Sequence, residues 1–280
     1  MICFVFVMLL GFARGDFAVI GDWGRGGTAG QRRVAEALRR EAPDFVVSTG
    51  DNFYSVGIES ANEGRTHEWV DVYNASVPWY VCLGNHDYLG NAAAQVDMTR
   101  VYNHWYMPDR FYNVRHGDVE LFVMDTTPWE PVNYVVRHFG SRVGHWEDLD
   151  AQMLRVPEQT AWLTSALAAS TAPRKFIVGH HPLWTYGWHA NAPAAMKDVV
   201  TRLMREHGVE AYLCGHDHNL QHIVSDEGVE QYLSGAGASH YPLRKKVDDR
   251  LRFALAERGF LMVRDDGTYD FIGENGAILS

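Results

Sequence analysis

Short, continuous apolar runs recur along this chain, each closed by a glycine and then by polar side chains. Phe17-Ala18-Val19-Ile20 leads into Gly21-Asp22-Trp23-Gly24, and the run at 44–47 leads into Ser48-Thr49-Gly50-Asp51-Asn52-Phe53-Tyr54. Tyr80-Val81-Cys82-Leu83 ends in Gly84-Asn85-His86-Asp87. The pattern returns at 174–178 before Gly179-His180-His181-Pro182, and at Ala211-Tyr212-Leu213-Cys214 before Gly215-His216-Asp217-His218. Apolar runs of this length predict strands buried on both faces, as in parallel sheets. Helical spacing fills the gaps. Thr28 can cap a helix reaching residue 40, with Val34, Ala37 and Leu38 as its inner stripe. Further helices are predicted over 65–74, 91–105, 157–170 and 194–207, the last ended by Gly208. Strand, helix and strand in this order describe right-handed crossovers between parallel strands.

Segments 111–116 and 119–125 predict an antiparallel pair turning at Gly117-Asp118, and 221–225, 229–234, 260–264 and 269–272 predict further strands. From 126 to 156 no period is visible, which predicts a functional or mobile loop. The expected fold class is α/β. No internal repeat, low-complexity tract or linker interrupts the chain, so residues 16–280 are expected to form one domain.

Composition narrows the function. The chain has 280 residues, 46% of them hydrophobic and 21% charged, which is ordinary for a globular enzyme. A formal net charge of -10 and the lack of a sustained basic stripe argue against a nucleic-acid partner. Residues 1–12 are almost all apolar and precede Ala13-Arg14-Gly15, the pattern of a secretory signal over 1–15. A secreted or lysosomal/vesicular location is therefore expected, with no membrane span in the mature chain. Asn74-Ala75-Ser76 is a glycosylation sequon that matters only on that route. Cys82 and Cys214 sit inside apolar strands and are expected to be core residues without a disulfide.

The candidate chemistry lies at the five strand ends. Ligands of open α/β sheets bind beyond the carboxyl ends of the strands. Here those ends carry Asp22; Asp51 with Tyr54; Asn85 with His86; His180; and His216 with His218. Any one of them alone is a helix cap or a satisfied core histidine. Together they supply oxygen and imidazole donors for two metal ions. A phenolate favours Fe(III), whereas an Asn carbonyl with His ligands suits a divalent Fe, Zn or Mn.

These five motifs, in this order, resemble those of the purple acid phosphatases, in particular the small tartrate-resistant type within the calcineurin-like metallophosphoesterases. Residues 212–221 and Leu233-Ser234-Gly235-Ala236-Gly237 share the likeness, which extends over nearly the whole mature chain. The resemblance implies a four-layer sandwich of two packed mixed sheets flanked by helices. It implies Asp22, Tyr54 and His218 on Fe(III), Asn85, His180 and His216 on the divalent metal, and Asp51 bridging the two. His86 and His189 match histidines that bind phosphate and assist the leaving group. The implied reaction is hydrolysis of phosphate monoesters at acid pH by a metal-bound hydroxide, in a monomer acting on small molecules or phosphoproteins. The mammalian type frames the loop after its Asp125-like strand with two cysteines, and this chain has none between Cys82 and Cys214. Two other readings remain open: a metallophosphodiesterase acting on nucleotide-like diesters, whose relatives generally lack a phenol at the Tyr54 position, and a non-catalytic iron carrier or redox protein.

Overall fold

The apolar run Phe17–Ile20 (β1) is wholly buried at the middle of a six-stranded sheet. The computed structural model describes residues 15–130 and 145–280. On one side of β1, three parallel neighbours follow in turn: β2 (Phe45–Ser48), β3 (Trp79–Val81) and β4 (Trp105–Tyr106). On the other side β12 (Gly259–Val263) and β13 (Tyr269–Gly273) pair antiparallel.

The second sheet has seven strands in the order β11-β9-β10-β8-β7-β6-β5. β5 (Tyr112–His116) and β6 (Val119–Val123) form the expected hairpin, turning at Gly117 with φ 59°. β7 (Arg174–Val178), β8 (Ala211–Cys214) and β10 (Glu230–Ser234) continue parallel from β6, and β9 (Leu220–Val224) pairs antiparallel with β10. The edge strand β11 (Leu251–Leu255) has no counterpart among the predicted elements. Its Leu-Arg-Phe-Ala-Leu pattern is only partly buried along its length, so neither a core run nor a clean alternation marked it.

The inner faces of the two sheets meet in one apolar core, where Phe17 stacks on Phe45 and meets Phe176 edge-on at 5.3 Å. Burying aromatic rings in this way is the largest favourable contribution to such a core. On the outer face of the first sheet lie α1 (Ala29–Glu41), α2 (Thr66–Tyr73) and α3 (Ala92–Val101), packed over an edge-to-face cluster of Trp23, Trp69, Tyr73, Trp79 and Trp105. Thr28 caps α1 through Gln31 N–H, and the helix ends on Ala42 in the left-handed region. On the outer face of the second sheet, α5 (Val156–Ala169) and α6 (Ala194–His207) bury Leu163, Leu167, Met196, Val200 and Leu203 against Phe122, Ile177 and Tyr212. Helices, sheet, sheet, helices: these are the four layers expected.

Two boundaries differ from the sequence reading. The helix predicted over 91–105 stops at Val101, because Trp105 leaves it to pair with Trp79 across β3 and β4. Within the segment read as a structureless loop, Thr127–Trp129 form a 3-10 turn and Trp146–Leu154 form a helix, α4. Glu147 and Asp148 in its first turn suit the helix dipole, and Asp148 pairs with Arg110 at 2.6 Å. Among its described side chains the one fully buried apolar residue is Leu149, too thin a stripe to show as a period. The rest of that loop, 131–144, and the signal expected at 1–15, apart from Gly15, lie outside the described residues. Among the described residues both Cys82 and Cys214 are buried and free. No helix there is long and apolar enough to cross a membrane.

Candidate metal centre

The strand ends of both sheets meet at one edge of the sandwich. Gly21 N–H donates to Ser234 O, Asp22 N–H to Gly50 O, and Gly215 N–H to His180 O, which ties the loops leaving β1, β2, β7, β8 and β10 together. Three residues there hold positive φ: Asp22 at 59°, Asp51 at 54° and His216 at 71°. Each directly follows a glycine at the end of a strand. The left-handed turn swings its side chain out of the pleat and back over the sheet edge. A non-glycine residue held in that region costs on the order of 1 kcal/mol or more.

The polar side chains fall into two adjacent groups. In the first, Tyr54 Oη lies 2.6 Å from Asp51 Oδ2, 2.8 Å from Asp22 Oδ1 and 3.0 Å from His218 Nε2. In the second, His180 Nε2 lies 3.0 Å from Asn85 Oδ1 and 3.1 Å from His216 Nδ1. Asp51 touches both groups, since its other oxygen, Oδ1, is 3.5 Å from His180 Nε2. Two subsets, Asp22-Asp51-His180 and His180-His181-His216, hold ligand atoms all within 4.8 Å of one another. All seven residues named from the motifs as metal ligands are therefore in one place.

The donor chemistry fits cations. His180 Nδ1 faces the carbonyl of Thr49 at 2.8 Å, which can only accept, so Nδ1 carries a hydrogen and Nε2 is the atom turned toward the Asn85 and Asp51 oxygens. Burial would lower His180, but the Asp51 and Asp22 carboxylates outweigh it and raise it, so a positive charge at Nε2 is favoured there. Tyr54 has one hydroxyl hydrogen and three acceptors around it. Burial, then Asp22 and Asp51, push its phenol well above its ordinary range. Burial would also raise Asp51, but His180 and His86 outweigh it and hold that carboxyl well below the usual range. Burial and the surrounding histidines push His216 down, toward its neutral, metal-binding form. A set of converging acceptors of this kind is satisfied by positive charge between them.

The two remaining candidates flank the groups. His86 is half-buried: its N–H donates to Asp51 Oδ1 at 2.8 Å, its Nδ1 meets Ser55 O at 2.8 Å, and its ring lies 4.5 Å from that of Tyr54. His189 sits on the other side, its ring centroid 4.1 Å from that of His216. Asp87 takes hydrogen bonds from the N–H groups of Gly84, Asn52 and Phe53 and from Gln95 Nε2. It fastens two of the loops from behind. Gly84 is required by close approach, because a Cβ there would lie 2.2 Å from Asp51 Oδ1.

Several supporting residues were not foreseen. Thr126 Oγ1 accepts from the N–H groups of His180 and His181 and lies 2.9 Å from His181 Nδ1. Its lone pairs being taken, the hydroxyl donates to Nδ1, which leaves the proton of neutral His181 on Nε2. Asp217 Oδ1 accepts from Trp188 N–H and His189 N–H at 2.8 and 3.0 Å, while Oδ2 receives the Thr185 hydroxyl. Ser239 Oγ holds His218 Nδ1 at 2.7 Å. His181 and Asp217 sit inside the quoted motifs, and that adjacency was their signal. Thr126 and Ser239 had none.

Comparison with known proteins agrees with this geometry. Residues 15–220 match the family model of the calcineurin-like phosphoesterases. The chain is 32% identical over 268 residues to tartrate-resistant acid phosphatase type 5 of Rattus norvegicus, covering 85% of this chain and 78% of that one. It is 35% identical over 286 residues to purple acid phosphatase 17 of Arabidopsis thaliana, covering 92% and 82%. Two solved structures share the fold. GAP50, the anchor in the inner membrane complex of Plasmodium, superposes with a TM-score of 0.72 at 21% identity, over 95% of this chain and 86% of that one. Purple acid phosphatase PPD1 from yellow lupin gives 0.68 at 16%, over 95% and 52%. The chain thus belongs to the calcineurin-like phosphoesterases and, within them, to the purple acid phosphatases, a membership that implies a dinuclear metal site.

Proposed function

We propose that this protein hydrolyses phosphate monoesters at a mixed-valent pair of metals, with Asp22, Tyr54 and His218 holding Fe(III), Asn85, His180 and His216 holding a divalent ion, and Asp51 bridging. The observation that carries this reading is the placement of Asp51, whose two oxygens face the two donor groups separately. A phenol in one group and a neutral amide in the other support a hard trivalent ion beside a divalent one. When bound, such a pair would supply a nucleophile from water and neutralise charge on a phosphate.

The chain's own side chains account for the rest. The Ser55 carbonyl accepts from His86 Nδ1–H, so Nε2 is the atom that takes or gives a proton on the substrate side. Asp217 fixes the backbone of His189, which sets that ring against His216 at the opposite rim. In this reading His86, beside Tyr54, and His189, beside His216, would both face a phosphate held by the metals. One can stabilise the developing charge while the other protonates the leaving oxygen. The apolar run at 1–12 supports export through the secretory route, and Asn74 is exposed at the end of α2 in a position a glycan could reach.

The test is purification of the full chain, metal analysis and a visible spectrum, with monoester and diester turnover measured side by side. The expected result is a charge-transfer band that disappears in Tyr54→Phe, with monoesters hydrolysed faster than matched diesters in mild acid. A diester preference would favour the phosphodiesterase reading. Loaded metals with no turnover on either would favour iron carriage.

A further inference from the structure

We infer that the groove between Trp188 and Tyr241 is a subsite for a planar ring on the leaving-group side of the phosphate ester. The inference rests on the monoesterase reading and adds to it a substrate class. Among the described residues, Trp188, His189 and Tyr241 line a cavity of ≈ 310 Å³. His189 is its link to the metal centre, because its ring lies 4.1 Å from that of His216. The Tyr241 ring stacks on His218 at 4.7 Å with planes 11° apart. The groove therefore starts from one candidate ligand of each donor group, at the place where the substituent of a bound phosphate ester would emerge.

Single exposed aromatic residues need no explanation, but two that share one cavity beside a polar cluster do. Trp188 is 56% exposed and Tyr241 42%. Neither is loosely held. Trp188 N–H donates to Asp217, and the Arg244 guanidinium lies 3.7 Å over the indole. Arg244 and Lys245 are themselves tied by their N–H groups to Tyr186 O at 2.9 and 3.2 Å, and Tyr241 N–H donates to His218 O at 2.7 Å. Both rings are thus ordered before anything binds, so stacking on them costs little additional entropy. Apart from the tyrosine hydroxyl, the indole N–H and the imidazole, the described lining offers few hydrogen-bonding groups. A polyol would lose water there without replacement, whereas a flat ring gains stacking surface.

The test compares benzyl phosphate with propyl phosphate, whose leaving alcohols are of similar acidity, in the wild-type full chain and in Trp188→Ala. Aromatic stacking of ordinary strength corresponds to roughly a three- to tenfold effect. The wild type is expected to prefer the benzyl ester, and Trp188→Ala to lower kcat/KM for it by about that factor. The propyl ester should change less than about twofold, and the inhibition constant of inorganic phosphate, which has no leaving group, should stay the same. Tyr241→Leu should move the benzyl-to-propyl ratio in the same sense. An unchanged ratio in both variants, or equal losses on both esters, would overturn the subsite while leaving the phosphatase reading intact. Failure of the wild type to hydrolyse either ester would overturn the phosphatase reading itself.

Discussion

Thr126 gives the sharpest test of how the centre is built. Its hydroxyl is the shared partner of three buried groups: the N–H of His180 at 3.2 Å, the N–H of His181 at 3.1 Å, and His181 Nδ1 at 2.9 Å. Thr126→Val keeps the shape of the side chain and removes all three interactions at once. A buried polar group left without a partner costs about 1–3 kcal/mol. Two of the three bonds here are long, so the low end applies to each, and the expected loss is about 3 kcal/mol. For a chain of this size that corresponds to a melting point lower by roughly 5 °C. Thr126→Ser keeps the hydroxyl and should lose only about 1 kcal/mol, for one methyl group. Urea unfolding of the metal-free proteins is the appropriate assay, because bound metal would add its own linkage to the measured stability. If valine and serine variants unfold within about 0.5 kcal/mol of each other, the hydroxyl is not anchoring the two histidines and the argument is wrong.

Other outcomes follow from the same geometry. Gly84→Ala should abolish metal binding and also lower stability, since the added methyl would lie 2.2 Å from the Asp51 carboxylate oxygen and 2.3 Å from the Asp51 backbone nitrogen; metal analysis with urea unfolding checks both, and full metal content in the variant would refute it. Asp217→Asn should lower kcat about tenfold with little change in metal content, because an amide turned toward the Thr185 hydroxyl would loosen the loop carrying His189. Asp125 concerns stability against pH. Burial raises its carboxyl from 3.8 to about 6, although Arg110 and the Tyr88 hydroxyl oppose the shift. The folded state therefore keeps a proton that the unfolded chain has already lost. The contribution is fully present below about pH 3.8 and is lost as pH rises through 6, by up to about 3 kcal/mol. Asp125→Asn should gain on the wild type between pH 4 and 7.5, as measured by urea midpoints at each pH; a flat difference would refute this.

What could be read from the sequence was whatever repeats. Buried parallel strands are continuous apolar runs, so β1, β2, β3, β7 and β8 and their polar termini were visible without coordinates. The candidate ligands were legible because they follow those runs directly. Thr126, by contrast, is one hydroxyl after a strand with no companion motif, and its role exists only where β6 lies beside β7. Ser239 is similar, reaching His218 from 21 positions away. Helix α4 and strand β11 carry no such run: the helix shows, among its described side chains, an ion pair and one buried leucine, and the strand is a half-exposed edge.

The positive φ angles at Asp22, Asp51 and His216 set this centre against the stability of its own scaffold. Glycine would relax the backbone at all three places, so selection for heat resistance alone would enrich glycine there. Such a lineage could keep its two sheets and lose its chemistry within a few substitutions. Aspartate and histidine at these bends are thus a more telling sign of an enzyme still under selection for turnover than the fold that carries them.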